Sequence, residues 1–405
     1  MTSATLNDSL TLPCGATLPN RIAKAAMSEH LGSPKQSPTR GLARLYERWS
    51  AGGAGLLITG NVMIDQAHFE AASNVAVKPD SNIDRFREWA AAGTTHGNHL
   101  WMQLNHPGRQ TPRHINPDPG APSAGEPVNL LRRAKAFAKP HAMDEAEIAH
   151  VIQSFASAAA FAQTAGFTGV QVHGAHGYLV SQFLSPLTNQ RSDRWGGPLE
   201  NRARFARAVL REIRTAVGDD FPIGIKLNSA DFQRGGFTEE ESMRVLRMLQ
   251  EDGIDLVEIS GGSYESRVML DKVENQREAF FLDYAKKART EVDIPMMVTG
   301  GFRARSIMQD ALSSGALDVV GMARPFTNNP HVAQDLLDGR TDRAADPPSM
   351  PGLGRFGGMS EAMMSVAQMG LLAKGKSPTL RFGGLGAVFS SLVQESADLF
   401  KPKRP

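Results

Sequence analysis

Short, mostly apolar runs recur along the chain without strict alternation of polar and apolar positions. They are Arg21–Ala25, Gly55–Gly60, Leu100–Asn105, Gly169–His173, Ile223–Asn228, Asp255–Ser260, Pro295–Thr299 and Asp318–Met322. Runs this short that do not alternate suit strands buried on both faces, as in a parallel sheet. Between them apolar residues return at helical spacing. Gly41–Ala51 carries Leu42, Leu45, Tyr46 and Trp49 on one face, and Glu145–Ala165, Leu199–Val217, Glu239–Glu251 and Arg305–Ser314 follow the same logic. Pro198 stands near the first helical position of the third, where a missing N–H costs nothing. Asp252–Gly253 and Ser314–Gly315 supply glycine near helix ends. Eight strand–helix units in sequence predict a parallel (β/α)8 TIM barrel. A doubly wound sheet, the alternative, needs only five or six strands.

Three segments stand apart. Residues 1–20 read as a short hairpin before the first strand, built on Leu10–Leu12 and Thr17–Leu18. Residues 106–143 form a long connection rich in Pro, Gly and Arg, of the kind that serves as a lid. Residues 341–405 are Gly-, Pro- and Met-rich. The expected division is a barrel over 1–340 and a C-terminal extension over 341–405. Met359, Met363, Met364, Met369, Leu371, Leu372 and Phe382 could give the extension an apolar surface at a subunit contact.

Lys and Arg number 44 and Asp and Glu 42, so the net charge is +2. That excludes a global pull toward nucleic acid or an anionic membrane, and any anion site must be local. The single cysteine, Cys14, excludes an intrachain disulfide, a Cys-rich zinc site and a Cys-ligated iron–sulfur cluster. A disulfide-free chain suits a reducing, cytoplasmic setting. The first basic residue is Arg21, so no signal peptide is expected. The longest apolar stretch, around Ala156–Val172, is broken by Gln163 and Thr164 and is too polar for a membrane span.

Barrels carry their chemistry at the C-terminal ends of strands. Those ends hold Ala26–Met27–Ser28, Gly60, Gln103, His173 with His176, Lys226, Ser260, Gly300–Gly301 and Ala323–Arg324. Gly60 and the Gly300–Gly301 pair let a flat ligand approach the backbone. Gln103 can donate and accept along a pyrimidine-like edge. Gly300, Gly301, Ala323 and Arg324 suit a phosphate held by backbone N–H groups and one guanidinium. His173, His176 and Tyr178 lie within six residues. Two neutral imidazoles can donate to an oxygen that gains charge, and a phenol can deliver a proton. No third metal ligand stands at a matching spacing, so no metal is expected there. Gly352–Gly357 matches a dinucleotide-binding glycine pattern but lacks a preceding strand and is rejected.

The motifs Leu18-Pro-Asn-Arg-Ile22, Gly53-Ala-Gly-Leu-Leu-Ile-Thr-Gly60, Gln103-Leu-Asn-His-Pro-Gly-Arg109, His173–Tyr178, Asn189–Arg202 and Gly321-Met-Ala-Arg-Pro325 occur in this order. Together they resemble the old yellow enzyme family of FMN-dependent ene-reductases, over roughly residues 8–340. The His-x-x-His form is similar to the thermophilic-type and dienoyl-CoA-reductase-like branches. The resemblance implies non-covalent FMN, reduced by NADH or NADPH, and an α,β-unsaturated carbonyl or nitro substrate. It places Ala26, Met27 and Ser28 against the flavin ring, Gly60 and Gln103 at its edge, and Lys226 beside N1/O2. Gly300, Gly301, Ala323 and Arg324 would hold the phosphate. His173 and His176 would bind the activating oxygen, and Tyr178 would be the proton donor. The chain departs from the family at Ala26, usually Pro, and at Ser28, a Cys or Thr elsewhere. Glu29 is unexpected, His30 replaces a common aromatic, and Lys226 replaces an Arg. Two rivals are a flavin-free barrel lyase with Lys226 as its amine, and a flavin-binding sensor. The expected partners are a small-molecule substrate and further copies of the chain, a homo-oligomer, with no nucleic acid and no membrane.

Overall fold

A computed structural model describes residues 4–129, 135–262, 265, 281–346 and 357–379. The eight expected runs form a closed parallel barrel. Its strands are β1 (Ile22–Lys24), β2 (Leu56–Ile58), β3 (His99–Asn105), β4 (Gly169–Gly174), β5 (Ile223–Asn228), β6 (Leu256–Ser260), β7 (Met296–Thr299) and β8 (Val319–Met322). Each pairs with its neighbours, β8 with β1 and β3 with β4 included, so no barrel edge is left open. Leu10–Thr11 and Thr17–Leu18 form the expected antiparallel hairpin.

Helices follow the strands: α1 (Arg40–Ser50), α2 (Ile83–Gly93), α3 (Glu145–Thr164), α4 (Leu179–Leu184), α5 (Leu199–Val217), α6 (Glu239–Glu251), α7 (Leu282–Arg289), α8 (Arg305–Ser313), α9 (Pro325–Asn328), α10 (Val332–Leu337) and α11 (Gly357–Ala373). Polar caps set their starts. Thr39 accepts from the Leu42 N–H, and Asp144 with Glu147 and Thr238 with Glu241 form capping boxes. Pro198 lies one residue outside α5 as its extended N-cap. The apolar pattern did not reveal α2 and α7. Each buries only a few side chains, Phe86, Trp89 and Ala90 in α2 and Tyr284, Ala285 and Ala288 in α7.

The main core lies between strands and helices; Leu42, Leu45, Tyr46 and Trp49 of α1 all belong to it. Burying one such side chain is worth about 1.5–3 kcal/mol. A second cluster fills the barrel interior with Ala23, Leu56, Trp101, Leu256, Met297 and Val319. Polar interior positions therefore begin above it, toward the C-terminal mouth.

Past the end of β2, Val62–Met63 pairs with Leu104 and Asn105 of β3, and Val75–Ala76 pairs with Val62–Met63. Asp65, just beyond, receives His68 Nδ1 at 2.8 Å and lies 3.6 Å from His106 Nε2. Backbone N–H groups of Gly120 and Gly108 donate to the opposite ring nitrogens of His68 and His106. The nitrogens facing Asp65 therefore carry the protons, so the trio acts as a carboxylate clamp on the long 106–143 connection rather than as a set of metal ligands. Within that connection Gly120–Ala121 pairs with His141–Ala142.

In the C-terminal extension, α11 lies against α1 and α9 of the same chain. Met364, Met369, Leu372 and Ala373 are buried there, and Arg44 donates to the Ala373 carbonyl at 3.1 Å. The Met359 side chain, Phe382 and the glycine pattern at 352–356 lie outside the described residues. Among the described residues no helix is long and apolar enough to cross a membrane.

Candidate active site

Alternation along the strands turns Gln103, Gln171, His173, Lys226 and Glu258 into the barrel above the apolar plug. Register brings them side by side, with Gln103 opposite Gln171, His173 opposite Lys226, and Lys226 opposite Glu258. Gln103 Nε2 donates to Gln171 Oε1 at 2.7 Å, and Gln171 Nε2 donates to Glu258 Oε2 at 2.9 Å. Lys226 Nζ donates to Glu258 Oε1 at 2.8 Å. A carboxylate offers only lone pairs, so Glu258 fixes how both amides point. Lys226, the amine a flavin-free lyase would use, is engaged by that carboxylate.

His173 and His176 meet at the end of β4. The Asn228 side chain accepts the His176 backbone N–H at 3.1 Å, and the left-handed backbone there, φ 62°, turns the second ring back onto the first. His173 Nε2 lies 3.0 Å from His176 Nδ1, and His176 Nε2 lies 2.7 Å from Ser260 Oγ. His173 Nδ1 lies 2.7 Å from Asn61 Oδ1. The Tyr178 ring packs edge-on to His173, with centroids 4.7 Å apart. Burial, reinforced by the charge of Lys226, holds both imidazoles well below the usual histidine range, so both are neutral. A cavity of about 580 Å³ opens next to Gly177 and is lined by Arg109, Gln182, Asp231 and Glu265 among others.

The β1 end holds Ala26, Met27 and Ser28, with Ala26 and Met27 packed partly against the core. Ser28 Oγ donates to the Glu70 carboxylate at 3.0 Å, so its remaining capacity is as an acceptor. Glu29 turns inward and accepts the Gly60 N–H at 2.8 Å and the Tyr46 hydroxyl. A Cβ at residue 60 would stand 2.2 Å from Glu29 Oε2 and 2.3 Å from the Met27 carbonyl oxygen, so only glycine fits. Tyr46 also accepts from Lys24 Nζ at 3.2 Å, and burial lowers the Lys24 amine to about 8.

At the ends of β7 and β8, Gly300 and Gly301 adopt φ values of 135° and 81°, which L side chains rarely take. Ala323 packs beside them against the inner cluster. Arg324 pairs with Glu361 of α11, and Arg303 lies 3.2 Å from Asp346. Burial and then the charge of Arg324 lower the Arg303 guanidinium. The buried Thr299 hydroxyl has no hydrogen-bond partner among the described residues. A glycine turn, two neighbouring guanidiniums and an orphaned hydroxyl fit an FMN phosphate.

The structure thus gathers the sequence-derived residues into three groups. His173, His176, Tyr178, Gln103 and Lys226 share one side of the mouth. Gly300, Gly301, Ala323 and Arg324 share another, and Ala26, Met27, Ser28 and Gly60 line the β1–β2 ends. Sequence reasoning missed Asn61, Glu70, Gln171, Glu258 and Arg303. Gln171 and Glu258 could have been found, since each lies two residues before a strand-end position already marked.

A family model described as the NADH:flavin oxidoreductase / NADH oxidase family matches residues 12–343. The chain is 39% identical over 346 residues to the NADH-dependent flavin oxidoreductase nadA of Aspergillus parasiticus, covering 81% of this chain and 77% of that protein. The solved structure of a 2-naphthoyl-CoA reductase matches with a TM-score of 0.78 at 27% identity; 84% of this chain corresponds to 53% of that one. This chain therefore spans about half the length of that reductase. The old yellow enzyme homologue of Zymomonas mobilis has the same fold, with a TM-score of 0.72 at 24% identity, covering 84% of this chain and 94% of that chain. The chain belongs to the NADH:flavin oxidoreductase / NADH oxidase family, that of the old yellow enzymes, and is an FMN-containing oxidoreductase that uses NAD(P)H.

Proposed function

We propose that the chain reduces activated alkenes, α,β-unsaturated carbonyl or nitro compounds, in two alternating half-reactions. The observation that carries this reading is the meeting of two neutral imidazoles and a phenol at the barrel mouth, on the wall shared with Gln103 and Lys226. FMN, once bound, would supply the hydride chemistry between NAD(P)H and the alkene. Ala26, Met27 and Ser28 border the ring site, and Gly60, Gln103 and Lys226 flank its edge. Gly300, Gly301, Ala323 and Arg324, with Arg303, hold the phosphate.

The chain's own part in the reaction is orientation, polarisation and proton delivery. The His173–His176 pair takes the activating oxygen. Neutral rings orient a developing negative charge without fixing it as a full ion pair. Tyr178 gives a proton to the α-carbon as hydride arrives at the β-carbon, so the alkene gains two hydrogens and Tyr178 is re-protonated from solvent. The 106–143 connection, clamped by Asp65, borders the mouth through Arg109 and serves as a cover for the substrate.

Denaturing the purified protein and weighing the released flavin tests the cofactor; FMN is expected, and FAD would overturn that part. A panel of an enone, a nitroalkene and a nitrate ester, with NADH or NADPH consumption followed, tests the reaction. Turnover of the enone or nitroalkene is expected. Flavin reduction with no alkene reduced would overturn the substrate class.

A further inference from the structure

Three carboxylates at the barrel mouth each take two donors: Glu29 from Gly60 and Tyr46, Glu70 from Ser28 and Asn61, and Glu258 from Lys226 and Gln171. Glu258 is wholly buried, two residues beyond Leu256 of the apolar plug. A buried ion pair gains little net stability, because the lost hydration of both ions offsets their attraction. Packing alone therefore gives no reason for Glu258 and Lys226 to stand there. The two oxygens of Glu258 divide the work. Oε1 takes one proton of Lys226 Nζ at 2.8 Å and leaves the amine two further N–H groups. Oε2 takes Gln171 Nε2 at 2.9 Å, so Gln171 must turn its Oε1 toward Gln103. Gln103 must then present Nε2 to that oxygen, at 2.7 Å. What Gln103 keeps for a ligand is Oε1, a pure acceptor, and one N–H.

We propose that Glu258 is a positioning residue for the flavin: it fixes the Gln103 amide as the acceptor for the ring's imide N–H, and it balances the charge of Lys226 at the same edge. This rests on the reading that sets the ring edge beside Gln103 and Lys226. The pyrimidine edge of a flavin presents an N–H flanked by two carbonyl oxygens. An amide held with Oε1 toward that edge accepts the N–H, and its spare N–H suits an adjacent oxygen. The inverted amide would set N–H against N–H. Lys226 suits a ring carbonyl as a donor. Reduction adds two electrons to the ring, so an unbalanced ammonium beside it would favour the reduced form. Glu258, in contact with the amine, holds that preference down.

Other groups bear on the same carboxylate. Lys24 of β1 is a second buried amine whose charge acts on Glu258. Its Nζ, however, is turned to the Ile58 carbonyl at 2.7 Å and the Tyr46 hydroxyl at 3.2 Å, among the rings of α1. His173 stands opposite Lys226 in the β4–β5 register and is neutral. Lys226 is thus the amine that Glu258 holds beside the Gln103 amide.

The test reads cofactor binding and potential, not turnover. Stripped protein is titrated with FMN and with FMN methylated on the imide nitrogen, and the midpoint potential of bound FMN is measured. The wild type is expected to bind FMN at least about tenfold more tightly than the methylated form, because methylation leaves a buried acceptor unpaired. In Glu258→Gln the new amide serves Gln171 as donor or acceptor, so Gln103 is free to invert and the discrimination is expected to fall severalfold. The uncovered charge of Lys226 is expected to make reduced FMN bind about tenfold more tightly relative to oxidised FMN, a rise of about 30 mV. Gln171→Leu cuts only the path to Gln103, so it is expected to lower the discrimination and leave the potential in place. Lys226→Met with Glu258→Leu removes both charges and is expected to keep a potential near that of the wild type. A wild type that binds both flavins equally, or a Glu258→Gln protein that keeps the wild-type discrimination or potential, would overturn the proposal. Should Glu258→Gln not fold, wild-type discrimination in Gln171→Leu, or a potential moved by about 30 mV or more in the double variant, would overturn it. Unchanged FMN affinity and potential in both Gln103→Leu and Lys226→Met would show that the ring lies elsewhere, and the placement of the ring would fall with the proposal.

Discussion

The two sides of the barrel mouth are built on opposite terms. On the β4 side each of the four ring nitrogens of His173 and His176 has a partner within the chain, and both rings are neutral. On the β7–β8 side two guanidiniums share a corner with a glycine turn, and the buried Thr299 hydroxyl lacks a partner among the described residues. The first side is complete before anything binds and governs a ligand through where its protons lie. The second holds two guanidiniums already paired with carboxylates, Arg303 with Asp346 and Arg324 with Glu361, beside a Thr299 hydroxyl that has no partner among the described residues. On the proposed reading, cofactor attachment and chemistry lie on different walls, and each can be broken without the other.

The largest effect is expected at the incomplete side. Arg303→Ala with Arg324→Ala removes two charged donors, each worth about 1.5–3 kcal/mol in a charge-assisted hydrogen bond. FMN affinity of the stripped protein, measured by quenching of flavin fluorescence, should fall roughly 10²–10⁴-fold. Unchanged affinity would place the phosphate elsewhere.

Acid should break the wired side. Burial lowers His106 from 6.5 to about 4 and lowers His173 and His176 in the same direction. The unfolded chain therefore binds more protons than the folded one between these values, and stability rises with pH across that window. Stability should be full above about pH 6.5 and fall as pH drops toward 4, with His106 alone costing about 3 kcal/mol. Asp65, held below the usual carboxylate range by His106 and His68 against the opposing effect of burial, adds a further loss at lower pH. Chemical denaturation at several pH values checks this, and His106→Asn should flatten the slope between pH 6.5 and 4.

These contrasts also explain what the sequence could reveal. Apolar runs located all eight strands because a strand buried on both faces has few polar interruptions. Strand ends then exposed Gln103, His173, Lys226 and Arg324. Glu258 and Gln171 stayed hidden inside runs that read as continuous, although period-two alternation turns them inward. Asn61 and Glu70 were illegible for a different reason. They lie in an irregular segment whose contacts join β1, β2 and β4, and no local pattern encodes which carboxylate meets which amide. The clamp formed by Asp65, His68 and His106 has the same origin. α11 shows the limit from the other direction: its methionines were readable as apolar surface, but not the choice of α1 as their cover.

The smallest effect is expected at Ser28, where the two sides of the comparison meet the ring site. Its proton goes to Glu70, so it can only accept. Losing an acceptor for an N–H of the reduced ring should lower the flavin potential by roughly 10–30 mV, the two-electron equivalent of about 0.5–1.5 kcal/mol. Potentiometric titration of Ser28→Ala checks it; a rise would mean that the hydroxyl donates to the ring.

The central claim is that Tyr178 delivers a proton on the wired side while NAD(P)H oxidation needs no such proton. Stopped-flow measurement of the two half-reactions in Tyr178→Phe tests it most directly. Flavin reduction by NAD(P)H should keep its wild-type rate, and reoxidation by an enone should slow by roughly 10²–10⁴-fold, the usual worth of a general acid. A nitroalkene should be affected less, because its nitronate product is stable enough to leave unprotonated. Equal slowing of both half-reactions, or slowing of neither, would contradict Tyr178 as the proton donor.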